Sequence, residues 1–265
     1  MNLVIDKNMS FGDFIMCTGI PKAWYTCFKE RVYIPNKRAV ELWENNPYVS
    51  DVPLGKNINV TANAHRDYMI YYPVRIFYDI SGGLIVDREL VQPDIYQKRE
   101  PIKKRILVND QAGWPTRTGY PYLNDLVTEL RAAGYSIGYL RNEHFRNCFG
   151  QIQNKQLVEF DYSVTNIMDN KVLIRELLQA SFYIGYDSGI SQLAGALKIP
   201  YVALQCCVPP INTVHDSCIH YLDICQGYCC SPDCKKKCFA QSPDFNSEII
   251  KAIEEYNDDV YNRIL

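Results

Sequence analysis

The chain has 265 residues, 47% of them hydrophobic, with 28 basic against 30 acidic side chains. That is enough apolar material for one large domain or two small ones, and a charge this nearly balanced leaves no electrostatic footprint for nucleic acid. No segment approaches the roughly 20 consecutive apolar residues that a membrane span requires, and Asp6 and Lys7 inside the first apolar run do not read as a signal peptide, so a cytosolic protein is expected.

Leu3–Ile5 and Val32–Ile34 read as short strands, and Lys37–Glu44 as a helix with Ala39, Val40 and Trp43 on one face. Asn57–Val60 and Tyr68–Tyr72 read as further strands, the second rich in residues that favour sheets. Ser81-Gly82-Gly83 is a loop without a third glycine at dinucleotide spacing. The polar stretch 92–104, with Pro93 and Pro101, reads as an interdomain linker.

After it the pattern becomes regular. A strand at Arg105–Val108 precedes a helix at Tyr122–Ala133, whose Leu123, Leu126, Val127 and Leu130 share one face and which Gly134 stops. Strands at Ile137–Leu140 and Leu157–Phe160, a helix at Lys171–Ala180 and a strand at Phe182–Tyr186 follow. Such alternation is the βαβ signature of a parallel sheet. A final helix at Glu248–Tyr256 sets Ile249, Ile250, Ile253 and Tyr256 on one side.

The run from Tyr183 to Pro200 is the most informative. An apolar strand stops at Asp187-Ser188-Gly189, an Ala/Leu-rich helix begins, and Pro200 opens a second strand, Tyr201–Leu204. Free backbone N–H groups and the positive helix end converge at that turn, which suits a phosphate or diphosphate. Gly189 keeps no Cβ in a ligand's way, and the Ser188 hydroxyl can donate. The same residues also serve an ordinary strand–helix junction with Ser188 as N-cap.

Near the start stands Met9-Ser10-Phe11-Gly12-Asp13-Phe14-Ile15-Met16-Cys17-Thr18-Gly19-Ile20-Pro21-Lys22-Ala23-Trp24, and later Asn45-Asn46-Pro47-Tyr48-Val49. The Gly-Asp, the Thr-x-x-Pro with its following Ala, the Asn-Pro-Tyr-Val and the Asp-Ser-Gly turn together resemble glycosyltransferase family 9, the heptosyltransferase-like enzymes. With weaker matches between them, the resemblance covers most of the chain. It implies an α/β protein of the GT-B fold: two Rossmann-like βαβ domains with a cleft between them and a C-terminal helix packing back on the first. On this reading residues 1–100 form the acceptor-side domain, 101–245 the nucleotide-sugar domain with a Cys-rich segment at 218–238, and 246–265 the terminal helix. A first domain of about a hundred residues is short for the family.

The resemblance implies an inverting glycosyltransferase that moves a sugar, heptose being one candidate, from a nucleotide-diphosphate-sugar donor to a glycan, lipid or protein hydroxyl. A GT-B nucleotide-sugar epimerase, or a nucleotide-sugar or metal-binding module without transfer activity, are the alternatives. Asp13, after Gly12, is the family's proposed base, though a first-turn Asp also suits the helix dipole. The loop Gln111–Pro121 resembles the family's phosphate loop. Arg117 stands nearest the usual Lys, with Thr116 and Thr118 as hydroxyl donors, and Arg binds a diphosphate bidentately. A solvated Arg in a turn is the plainer reading. Glu143 matches a family Glu that holds ribose hydroxyls, or is a surface Glu. Asp187, Ser188 and Gly189 form the donor turn, and Gln192 stands where the family commonly has His. No metal or other cofactor is required for catalysis, and neither a nucleic-acid partner nor a membrane span is expected. A lipid acceptor would bring the protein to a membrane surface.

Eleven cysteines are many for a cytosolic chain, and they cluster. Cys225, Cys229, Cys230, Cys234 and Cys238 lie within one short region, with Cys218 before them. Family relatives carry carboxy-terminal cysteines, and one protein heptosyltransferase subgroup holds iron with four of them. A structural zinc or iron site, one or two disulfides, and reduced thiols are the competing readings, the metal leading. His65, His144, His215 and His220 show no metal-ligand spacing and read as ordinary polar residues.

Overall fold

The computed structural model describes residues 1–35, 40–60, 71–113, 119–142, 144–146, 157–205, 213–223 and 244–264. They build two parallel sheets. The first has strands β1 (Asn2–Ile5), β2 (Val32–Tyr33), β3 (Val49–Ser50) and β4 (Asn57–Val60) in the order β3-β2-β1-β4. The second has β5 (Arg105–Asn109), β6 (Ser136–Leu140), β7 (Tyr162–Val164), β8 (Phe182–Tyr186), β9 (Tyr201–Gln205) and β10 (Cys218–Asp223) in the order β10-β9-β8-β5-β6-β7. Read from its other edge, that is the doubly wound nucleotide-binding order. In each sheet the winding direction reverses once, between β1 and β4 and between β5 and β8.

Helices α1 (Phe11–Met16), α2 (Ile20–Phe28) and α3 (Tyr72–Ser81) serve the first sheet; α4 (Leu123–Ala132), α5 (Asn170–Leu178), α6 (Gly189–Ala196) and α7 (Asn246–Ile264) serve the second. Strands β5 and β8 are buried along their whole length, as covered parallel strands are. Their residues alternate between faces. Leu107 and Tyr183 join a cluster that runs into the first sheet through Leu193, Ala194, Phe14, Ile15 and Leu3. Ile106, Val108, Phe182 and Ile184 pack on the other face with Leu126, Leu130, Ile249 and Ile253. One core therefore passes without a break from sheet to sheet along α1 and α6.

The connecting stretch is not a free linker. Val91 and Ile95 are buried in the shared core. Ile95 donates its N–H to the Ala196 carbonyl at 3.0 Å, Asp94 donates to Thr18 Oγ1 at 3.1 Å, and Arg99 holds the Lys198 and Ala180 carbonyls. A polar sequence hid this, because its polar groups are spent on the ends of α5 and α6.

Four local expectations change. Tyr71 and Tyr72 introduce α3 instead of ending a strand, because Pro73 in the first turn starts a helix and Tyr72, Ile76 and Phe77 face inward. Of the helix expected at Lys37–Glu44, Val40–Leu42 make one 3-10 turn, and residues 37–39 lie outside the described residues. The strand expected at Leu157–Phe160 begins five residues later, at Tyr162–Val164, where Val164 is buried and pairs with Leu140. Finally, α7 lies on α4 and β10 through Ile249 and Ile253, on the second sheet and not the first, because its apolar stripe completes that sheet's outer core.

Candidate functional site

Both reversal points open at the carboxyl ends of their strands, where open α/β sheets bind ligands. At the first, β1 leads into Ser10, the N-cap of α1. Ser10 and Asp13 form a capping box: Asp13 N–H donates to Ser10 Oγ at 3.3 Å, and Asp13 Oδ2 accepts from the Ser10 N–H at 2.9 Å and hydroxyl at 2.8 Å. The plainer reading of Asp13, a first-turn carboxylate favoured by the helix end, thus describes its local contacts. Its charge also reaches inward. Burial, then Asp13, raises the pKa of the Tyr72 hydroxyl and of the Cys17 thiol, so both stay protonated.

At the second reversal point β8 ends in Asp187, Ser188 and Gly189, and α6 begins with Ser188 as N-cap. The Ser188 side chain makes no capping bond; its buried Oγ lies by the Tyr183 hydroxyl without hydrogen-bond geometry. The two points meet. A Cβ on Gly12 would stand 3.4 Å from Gly189 Cα, and one on Gly189 would stand 3.1 Å from the Phe11 ring and 3.3 Å from the Gly12 nitrogen. Two glycines let two helix N-termini touch; a Cβ at 189 would press on the Phe11 ring and the Gly12 nitrogen, whereas one at 12 would make ordinary contact.

The start of the expected phosphate loop is braced. Asn109 Nδ2 donates to the Leu140 carbonyl at 2.7 Å, and the Gln111 amide pairs with the Asn142 backbone through two 2.9 Å bonds. Its far end returns to the same place: Gly119 and Tyr120 donate backbone N–H groups to the Tyr186 hydroxyl at 3.0 and 2.7 Å. Thr116, Arg117 and Thr118 between these anchors lie outside the described residues, as does Glu143 beside Asn142. Asp110 takes a hydrogen bond from Tyr139, whose pKa rises through burial first and then that carboxylate.

Gln192 is engaged on both sides. Its Nε2 donates to Asp187 Oδ1 at 3.3 Å, and its Oε1 faces His215 Nε2 at 2.6 Å. His215 Nδ1 lies 3.0 Å from the Tyr71 hydroxyl. His215 is therefore no ordinary polar residue; it is buried between α6 and the start of α3, and nothing in the spacing of the histidines signals it. Burial, then Arg88, pushes its pKa down from 6.5 to about 3, so the ring is neutral. Folding stability from this group is full above pH 6.5 and is lost as pH falls toward 3, because the unfolded chain binds the proton first.

Cys225, Cys229, Cys230, Cys234 and Cys238 lie outside the described residues. Among the described residues no three His, Cys, Asp or Glu gather to hold a metal. Cys218 is described: its thiol donates to the His220 carbonyl at 3.1 Å, and burial pushes its pKa up to about 12, away from the thiolate a metal needs.

No family model and no curated protein matches the sequence. Solved structures do match the fold. One is the bacterial iron-containing dodecameric glycosyltransferase TibC from enterotoxigenic E. coli H10407, with a TM-score of 0.59 at 17% identity, covering 83% of this chain and 61% of that chain. The E. coli heptosyltransferase WaaC with ADP gives 0.56 at 12% identity over 97% of this chain and 98% of its own. A family 9 glycosyl transferase from Veillonella parvula DSM 2008 gives 0.54 at 13% identity, covering 84% and 85%. The chain has the GT-B-like fold of the family 9 heptosyltransferases, and it spans about three-fifths of the TibC chain. No described helix is long and apolar enough to cross a membrane.

Proposed function

We propose that the chain is an inverting glycosyltransferase that moves a sugar, heptose by preference, from a nucleoside-diphosphate donor to a hydroxyl of a glycan, lipid or protein. The contact of Gly12 with Gly189 carries this reading. It brings the chain segment that bears Asp13 up to the donor turn where the sheets open. Asp13 takes the acceptor proton as the acceptor oxygen attacks the anomeric carbon, and the bond to the diphosphate breaks in the same displacement. The N–H groups at the Ser188-Gly189 start of α6, with Thr116, Arg117 and Thr118, receive the charge that grows on the leaving diphosphate. Glu143 accepts from the ribose hydroxyls. Asp187 and Gln192 shape the turn from behind. Thermal-shift measurements with ADP-, GDP-, UDP- and CDP-linked sugars test the reading; a rise in Tm with one of them is expected, and no shift with any of the four overturns it.

Arg117→Ala is expected to weaken nucleoside-diphosphate binding by about 1.5–3 kcal/mol, the worth of a charge-assisted contact. The nucleoside without phosphates should bind both proteins equally. Unchanged diphosphate affinity by calorimetry moves the cationic role to Arg141 at the end of β6.

The cysteine segment is expected to hold one structural zinc or iron, with Cys225, Cys230, Cys234 and Cys238 as ligands and Cys229 able to replace its neighbour. A metal relieves the repulsion of close thiolates and ties the segment down. Elemental analysis of protein purified without a metal-affinity tag should find about one equivalent. Less than roughly a tenth of an equivalent of both metals, with titratable thiols or mapped disulfides, removes the site.

A further inference from the structure

The strongest feature left unused is a line of buried polar groups that leaves the donor turn and ends on the first sheet's side of the molecule. Asp187 Oδ1 accepts from Gln192 Nε2, which fixes which end of that amide faces His215. Gln192 Oε1 then needs a donor, so the proton of the neutral imidazole sits on Nε2, 2.6 Å away. Nδ1 is left to accept from the Tyr71 hydroxyl at 3.0 Å. The single proton of that hydroxyl is shared with Gln92 Oε1, to which it also donates at 3.1 Å, and Gln92 Nε2 donates to Asp216 Oδ1 at 3.0 Å. Tyr71 precedes α3, Gln92 belongs to the connecting strap, and Gln192 belongs to α6. Two separate parts of the chain thus meet on one imidazole, and the strap reaches it through Tyr71.

The ring is fixed from every side. Its backbone N–H donates to the Tyr201 hydroxyl at 2.9 Å. A Cβ on Gly195 would stand 2.0 Å from its Cδ2, so the helix has a glycine where the ring lies against it. Arg88 stacks on the Tyr71 ring at 4.3 Å, donates to the Val214 carbonyl and stands 3.9 Å from Asp216. Among the described residues, the titratable groups around the imidazole are Tyr71, Arg88, Tyr201 and Asp216, with Asp187 one amide away.

We propose that His215 is a positioning residue for the donor turn: through Gln192 it orients the Asp187 carboxylate, and through Tyr71 it takes its own orientation from the first sheet. The turn keeps its shape while α3 and the strap hold Tyr71 and Gln92 in place. The proposal rests on the donor-turn reading for its consequence, although the relay itself can be measured without a ligand.

Two substitutions of the same ring separate its two bonds. A glutamine at 215 can bring an amide N–H to where Nε2 stands, whereas an asparagine reaches only to Nδ1. His215→Gln should keep ADP affinity, by calorimetry, within about threefold of the unchanged protein, and His215→Asn should lose about tenfold, one hydrogen bond's worth. A ring that only fills space predicts affinity losses that follow the fall in Tm of each variant, so both melts are recorded beside the affinities. Nitrogen NMR of the imidazole gives the second readout: the proton is expected on Nε2, and Asp187→Asn, which touches the ring only through Gln192, should move that resonance. Equal losses for the two variants, losses that follow their Tm, a proton on Nδ1, or a resonance indifferent to Asp187→Asn each overturn the proposal. If the unchanged protein binds no nucleoside diphosphate at all, the donor reading falls, and the imidazole resonance alone decides the relay.

Discussion

Asp13→Asn should lower sugar transfer by about a hundredfold to ten-thousandfold, the usual cost of losing a general base, with nucleotide affinity nearly unchanged. The base acts on the acceptor oxygen, and an amide cannot take its proton. The capping box supplies the control that separates catalysis from helix capping. Asp13 and Ser10 stabilise the same helix start through reciprocal bonds. Asparagine still offers an oxygen to the Ser10 N–H, so Asp13→Asn should cost less than about 1 kcal/mol in stability. Ser10→Ala removes the hydroxyl cap and should cost about 1 kcal/mol, yet it leaves the carboxylate and the backbone donor that orients it. Turnover and melting temperature should therefore move in opposite order for the two variants. If both melt alike and both transfer sugar at the original rate under saturating donor, Asp13 is a cap and nothing more.

Gly19→Ala should be among the most destabilising single-methyl additions in this chain. Gly19 has an ordinary helical backbone, φ −78° and ψ −19°, so alanine on conformational grounds alone would be neutral or helpful. The obstacle is space. The added Cβ would stand 2.3 Å from the Val91 carbonyl oxygen and 2.4 Å from that of Gln92. Both obstacles are backbone, so no rotamer change relieves them, and the strap must lift. Lifting it strains the Asp94 bond to Thr18 and the Ile95 bond to Ala196, and withdraws Val91 and Ile95 from the shared core. About 3 kcal/mol is expected, a fall of roughly 6–12 °C in Tm. Because the strap ends on α6, ADP affinity should fall with it. A melt within about 2 °C of the unchanged protein would show that the strap yields freely.

Much of the second sheet was legible in the sequence because its signals are local. Leu123, Leu126, Val127 and Leu130 share one helical face, Gly134 ends that helix with a positive φ, and the runs at 106–108 and 182–186 are continuous and apolar. The Asp-Ser-Gly turn was legible for the same reason: strand, turn and helix follow one another without interruption. Where the chain is short of apolar periodicity, local signals misled. Tyr71 and Tyr72 look like strand until Pro73 is seen to open a helix, and the polar strap looks like a linker until its groups are matched with the ends of α5 and α6.

Sequence alone determined most elements of the second sheet, its parallel character and the residues of the donor turn, since these follow from hydrophobic period, turn chemistry and helix stops over a few neighbouring residues. Only the tertiary structure decided that Gly12 touches Gly189, that α7 completes the second sheet, and that His215 stands between Gln192 and Tyr71. These are contacts between parts of the chain far apart in sequence. Their partners are single glycines and a single histidine, which carry no period, and only close packing of the two sheets on one core brings them together.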